Sequence, residues 1–219
     1  MSDEAVERIT TKIHREFRHN RVALFDEMNI LQTKKHIRKL YKAVDKIIKN
    51  EFTAILNPIY ESIYDEAIDM GFDGDMRELD ETWIEEFFDE YNPVTKYVFS
   101  NEIERKESRL FESLISNVAE RAKSYKTAER LLLNQIKQYA IDLEDAIADV
   151  VYEDVKVEQV EWVAENDSST CPDCQALDGE IFDIDKAPDK LHYNCRCILL
   201  PVRVDIVSEN VKTQKSDKT

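Results

Sequence analysis

Glycine and proline are scarce in this chain, and their scarcity limits its possible folds more than any other feature. The 219 residues contain three glycines and five prolines. Tight β-hairpins need residues that tolerate positive φ, and helix interiors are broken chiefly by proline. Long helical segments are therefore expected, with breaks at Asn57-Pro58, between Gly71 and Gly74, and at Asn92-Pro93.

Apolar residues recur at helical spacing between these breaks. Leu40, Val44 and Ile48 mark one such face, and Asp80 is a suitable N-cap for a later helix. Helices are predicted over 3–25, 33–56, Pro58 to about Met70, 81–91, 95–122, and a last segment that ends near Val150. The sequence thus predicts a mainly α protein with a multi-helix N-terminal body over residues 1–153.

Charge is distributed unevenly along this body. The whole chain carries a net charge of -16, which argues against a protein that coats nucleic acid. Residues 8–49 nevertheless contain twelve Lys/Arg against four Asp/Glu, whereas residues 50–104 contain two against sixteen. Both runs fit solvated helix faces, and the basic 8–49 segment also fits an arm that docks on DNA or on an acidic partner.

The character of the sequence changes near Lys156, where β-forming residues become frequent. These residues indicate a first β segment, and two further short strands are predicted at 180–182 and 197–200. These features predict a small α+β, zinc-ribbon-like module over residues 154–207. The polar tail over 208–219 is predicted to be disordered.

All four cysteines lie inside this module, within a span of 27 residues. A Cys-x-x-Cys turn aims two sulfurs at one point, and a second turn completes the tetrahedron that zinc prefers. The best ligand set is Cys171, Cys174, His192 and Cys195. Cys197 lies two residues beyond Cys195, faces the same side in an extended strand, and is the alternate ligand.

A structural Zn²⁺ is the cofactor that this pattern favours. A unit of about 45 residues buries little apolar area against its chain entropy, and structural zinc supplies about 10 to 16 kcal/mol of apparent binding energy. Reduced, partly buried cysteines and a redox Cys-x-x-Cys are the alternatives. The deaminase signature, in which His-x-Glu precedes Pro-Cys-x-x-Cys, is absent because Thr170 and not proline precedes Cys171, and we expect neither an enzyme nor a small-molecule substrate.

Cellular placement follows from what the sequence lacks. It contains no stretch of about 20 apolar residues, and Met1-Ser2-Asp3-Glu4 does not resemble a secretion signal. The protein is expected to be made in a cytoplasm and to have no membrane partner.

The C-terminal module closely resembles a known family over about 40 residues. The residues that carry this resemblance are Trp162, Asp167, Cys171, Cys174, Leu177-Asp178-Gly179, Phe182, Pro188, His192, Asn194-Cys195-Arg196-Cys197 and Pro201. Their order and spacing resemble the head-morphogenesis family of tailed phages, the relatives of phage Mu protein F.

This resemblance implies a minor capsid protein made in the bacterial host cytoplasm. Such a protein would lie inside the phage head at the portal vertex, with the portal protein and other head proteins as partners. It would act in head assembly, with a further role in DNA packaging or ejection left open. The alternative is an intracellular zinc-ribbon adaptor or a regulator that binds nucleic acid.

Overall fold

The elements of the fold are mostly helices, as the sequence predicts. The computed structural model describes residues 3–25, 30–89, 99–193 and 195–203. The helices are α1 (Asp3–Phe25), α2 (Ile30–Thr53), α3 (Leu56–Asp69), α4 (Glu81–Asp89), α5 (Phe99–Ser116), α6 (Arg121–Asp154) and α7 (Pro172–Leu177). The strands are β1 (Gln159–Val163), β2 (Ile181–Asp183) and β3 (Ile198–Val202). The mainly α fold with a small α+β part is confirmed.

Local sequence signals explain where several helices begin. Pro58 occupies the first turn of α3, where a missing N–H costs nothing. The Asp80 carboxylate accepts a hydrogen bond from the backbone N–H of Trp83 at 3.1 Å, as expected of an N-cap for α4.

The predicted helix over 95–122 is interrupted, which corrects that expectation. Helix α5 ends at Ser116, and Asn117 has φ -135° and ψ 87°, outside the helical region. Asparagine competes for backbone hydrogen bonds and weakens helices, which the apolar spacing alone does not register. The Arg121 side chain donates to the carbonyl of Leu114 at 2.8 Å and so satisfies one acceptor at the end of α5.

The chain forms two compact units. The first, here called the helical unit, contains residues up to 57 and residues 79–143. Its core is made of large apolar side chains, among which Phe17, Phe52 and Phe88 are fully buried. Helix α2 packs against α1, α4 and α5. The amphipathic pattern of α2 therefore predicts the side that forms the centre of this unit.

The second unit contains residues 58–78 together with the described residues from 144 onward. Strand β1 lies between β2 and β3 and pairs antiparallel with both. The segment 58–78 is fixed to the end of α6, because Asp154 accepts hydrogen bonds from Tyr60 and Arg77. A side chain at Gly74 would collide with the backbone of Asp154, so glycine is required there.

Parts of the sequence prediction are not tested by these elements. The boundary at residue 154 between body and module stays a prediction. The Asn92-Pro93 break and the 208–219 tail lie outside the described residues. Within the described part of the chain, no helix combines the length and apolar character needed to cross a bilayer.

Candidate metal centre

The first two cysteines lie on one helical turn. Cys171 is the N-cap of α7 and Pro172 follows it in the first turn. The backbone N–H of Cys174 donates to the Cys171 sulfur at 3.3 Å. A thiol thus takes the place of the hydroxyl or carboxylate that usually caps a helix. The capping geometry holds both sulfurs on the same side of the turn.

The remaining candidate ligands precede β3. The backbone N–H of Cys195 donates to the carbonyl of His192 at 3.1 Å and closes a turn between these two residues. The Cys197 carbonyl accepts a hydrogen bond from the Lys190 ammonium group. Lys190 also forms an ion pair of 3.1 Å with Asp145 on α6, which anchors this loop.

The fold brings the two segments together at Cys174. The Cys174 sulfur lies 3.3 Å from His192 Nε2 and 3.6 Å from the Cys195 sulfur. Donor atoms of Cys171, Cys174 and His192 all lie within 4.8 Å of one another, and so do those of Cys174, Cys195 and Cys197. All five residues singled out in the sequence therefore take part in two groups that share Cys174.

Two of these distances are close to those of a tetrahedral zinc shell. Zn–S bonds of about 2.3 Å and Zn–N bonds of about 2.0 to 2.1 Å separate two sulfurs by about 3.8 Å, and a sulfur and a nitrogen by about 3.5 Å. The two separations at Cys174 are close to these values. Three or four soft thiolate donors with one imidazole are also the ligand types that favour zinc. The cluster could therefore hold a metal ion, and its residue types suit zinc. The donor atoms of Cys171, Cys174, His192 and Cys195 are divided between the two groups and do not form one set within 4.8 Å.

The cysteine side chains form much of the local core. Cys174, Cys195 and Cys197 are buried beside Trp162 and Ala164, with Leu177 and Phe182 partly buried against them. Burial raises the pKa of Cys174 and of Cys197, because it disfavours the thiolate. The pKa of Cys171 is lowered by the Cys174 N–H that it accepts. A bound cation would stabilise the thiolate form of all these groups.

An ion pair joins the two ligand segments outside the cysteine cluster. Arg196, between Cys195 and Cys197, donates to the Asp167 carboxylate at 2.8 Å and to the Ser169 hydroxyl at 2.7 Å. Hydrogen bonds from Ser169 and then from Arg196 lower the pKa of Asp167 well below its usual range. Asp167 precedes the first cysteine by four residues, so this contact fixes one ligand segment against the other.

The Asp178 carboxylate at the end of α7 holds the backbone that follows β1. Asp178 accepts from the backbone N–H of Ala164 and from the Asn166 side chain, both at 2.8 Å. Gly179 follows with φ +79°, a conformation that favours glycine, and its N–H donates to the carbonyl of Trp162 at 2.8 Å. The Leu-Asp-Gly triplet noted in the sequence therefore connects β1 to the helix that carries Cys174.

Sequence comparison covers the same part of the chain. Residues 106–200 match the family described as Phage Mu protein F like protein. The match begins within α5 and ends within β3, and it includes all five candidate ligands. The resemblance to this family is therefore confirmed over that range. No curated protein and no solved structure matches the chain.

Two residues of this centre were not identified as functional from the sequence. Lys190 and Asp145 are 45 positions apart, and no local pattern connects them. The ion pair between Asp167 and Arg196, here called the clamp, was weakly indicated by the sequence. Both residues belong to the set that carries the Mu F resemblance. A charge placed between two cysteines is itself a reason to look for a distant counter-charge.

Proposed function

We propose that this chain is a minor head protein of a tailed phage that acts in head assembly at the portal vertex. The observation that carries the proposal is the coincidence of the Mu F-like match with the Cys/His cluster. The family is a structural type of phage head protein, which agrees with a chain that has no enzymatic role. The proposed partners are the portal protein and other proteins of the head interior.

The proposed cofactor is one structural Zn²⁺, held by Cys171, Cys174, His192 and Cys195, with Cys197 as the alternate ligand. The ion would supply the cross-link that a sheet of three short strands lacks. The protein's own contribution is to bury three thiols, cap α7 with a fourth, and hold the second segment through Arg196 and Lys190. The module would then keep one fixed surface for subunit contacts during assembly.

A stripe of lysines on α2 supports a contact with packaged DNA. Lys35, Lys39, Lys42 and Lys46 are exposed and lie within one narrow face of the helix. Within the described residues, these four ammonium groups have no ion-pair partner. Phosphate groups spaced along a duplex suit such a row, and each contact makes binding more sensitive to salt. An acidic partner protein would suit the same row.

Charge reversal of the stripe tests the DNA contact. The K39E/K42E variant should weaken duplex binding at low salt and reduce the slope of log affinity against log salt by about 2. K126E/K137E is the matched control, since both lysines are exposed but belong to α6 and not to α2. Equal loss of DNA affinity in the two variants would contradict a specific role for α2.

Purified particles test the main proposal. Quantitative mass spectrometry of washed proheads and mature heads should find the chain in both, in few copies relative to the major capsid subunit. Cross-linking inside the particle should join it to the portal protein. A chain absent from washed particles would contradict the proposal, and its recovery on host promoters would favour the regulator instead.

A further inference from the structure

The helical unit carries a cleft that the proposed head function does not use. Its volume is about 270 Å³, and residues of α5, the start of α6 and Tyr41 of α2 line it. Leu110 and Tyr41 form its buried side, with 2% and 1% of their surface exposed. Leu131 lies on its exposed side, with half of its surface open. One large apolar side chain would fit between these leucines.

The charged groups around the cleft are mostly cations, although the chain as a whole is strongly acidic. Lys106 is paired with the buried Glu102 at 2.8 Å, and Lys123 lies 3.9 Å from Glu120. Arg109 is exposed and has no ion-pair partner among the described residues. The cleft thus combines an apolar interior with a cation available for an external carboxylate.

Two further features indicate which kind of ligand suits the cleft. Ser113, Ser124 and Thr127 are among the lining residues, and side chains of this type can hydrogen-bond to a peptide backbone. The aromatic ring that the described structure contributes to the lining is that of Tyr41, which is buried and offers no exposed face for stacking on a base. This favours an acidic peptide over a nucleotide.

We propose that this cleft binds a short acidic peptide segment of a partner protein. One large apolar side chain of the peptide lies between Leu110 and Leu131, and a neighbouring carboxylate pairs with Arg109. Charge complementarity supplies part of the specificity, and the enclosed side chain supplies apolar contact. Peptide binding at the cleft is independent of the proposed function in head assembly.

The probe is a blocked, fluorescent heptapeptide with one phenylalanine between three acidic residues on each side. Fluorescence polarisation with the full chain should show binding that Arg109→Glu weakens about tenfold, since attraction is replaced by repulsion. Leu131→Ser should weaken it about fivefold through lost apolar contact. A peptide with amides in place of the acids should bind about tenfold more weakly.

Two matched variants separate the cleft from general surface effects. Arg130→Glu reverses an exposed charge next to a cleft residue, and Leu31→Ser removes a leucine that is 79% exposed on α2. Neither residue lines the cleft, so peptide affinity should change by less than about twofold in both. Circular dichroism would verify that all four variants remain folded.

Four results would overturn the proposal. These are the absence of peptide binding, equal affinity for the uncharged peptide, and equal losses in the cleft and control variants. The fourth is occupation of the cleft by another ligand. Competition by a single-stranded oligothymidine would indicate a nucleic-acid site, and self-association abolished by Arg109→Glu would indicate a second copy of the chain.

Discussion

The helical unit and the Cys/His module fill their cores with different chemistry. The first buries large apolar rings and aliphatic chains, such as Phe17, Phe52 and Ile48. In the module, three buried cysteines form one cluster with Trp162 and Ala164. Apolar burial stabilises the helical unit through area removed from water. Thiols supply less area, and their larger contribution comes from binding a cation.

Because their cores differ, the two parts should respond to different perturbations. The helical unit should be sensitive to cavities and insensitive to chelators. The module should lose its structure with its metal and be nearly indifferent to changes in the other core.

Removing two ligands should produce the largest effect. In the C171S/C174S variant, β1 and β3 should lose amide protection in hydrogen-exchange mass spectrometry, because apparent zinc binding of about 10 kcal/mol or more is lost. Helices α1 and α2 serve as the internal reference and should keep their protection. Unchanged protection in β1 would mean that the module folds without a metal.

A cavity in the helical unit is the reverse test. Phe52 is fully buried and contacts the Phe88 ring at a centroid distance of 5.6 Å. Phe52→Ala should lower the unfolding free energy of this unit by about 3 to 5 kcal/mol. Phe52→Leu is the control and should cost less than about 1.5 kcal/mol. Zinc content should stay at the wild-type level in both variants. A fall in zinc would contradict the independence of the metal site from the core of the helical unit.

The sequence was more informative about the ligands than about what positions them. Cys171, Cys174, His192, Cys195 and Cys197 could be identified because their spacing reflects local turns. The contacts of Lys190 with Asp145 depend on long-range packing, which spacing does not encode. The break at Asn117 was missed because apolar periodicity continues across it on both sides.

The segment 58–78 is another case in which residue spacing predicts local structure but not long-range contacts. Its helical pattern was read correctly, whereas its attachment through Arg77 to Asp154 was not predicted. Hydrogen bonds between residues so far apart leave no periodic signal. Burial alone would raise the pKa of Asp154, but bonds from Arg77 and Tyr60 lower it.

Asp145 makes part of the second unit sensitive to pH. Burial raises the pKa of its carboxyl group to about 6, against an opposing effect of Lys190. The unfolded value is about 3.9, so this group's contribution to stability is present below that pH and lost as pH rises through 6. Relative to Asp145→Asn, the wild type should lose up to about 2 kcal/mol between about pH 4.5 and about pH 7.5.

Urea unfolding of both zinc-saturated proteins at the two pH values measures this difference. Carbon-detected NMR titration of the Asp145 carboxyl gives the pKa directly. A wild-type to variant difference that does not change with pH would contradict the assigned shift.

The Asp167–Arg196 clamp should have the smallest effect of this series. Arg196→Ala should weaken zinc binding about tenfold, because the second ligand segment is held less firmly against the first. Competition with a chromophoric chelator measures the affinity. Lys186→Ala is the matched control, since it removes an exposed ion pair with Asp183 in the same module. Similar zinc affinities in the two variants would show that the Asp167–Arg196 ion pair does not support metal binding.

The metal content of the wild-type chain shows whether a bound ion holds the module together. Inductively coupled plasma mass spectrometry after purification without chelators should find about one equivalent of zinc per chain, as expected of one tetrahedral site. Zinc below about a tenth of an equivalent in correctly folded wild-type protein would contradict the claim that a bound ion holds the module together.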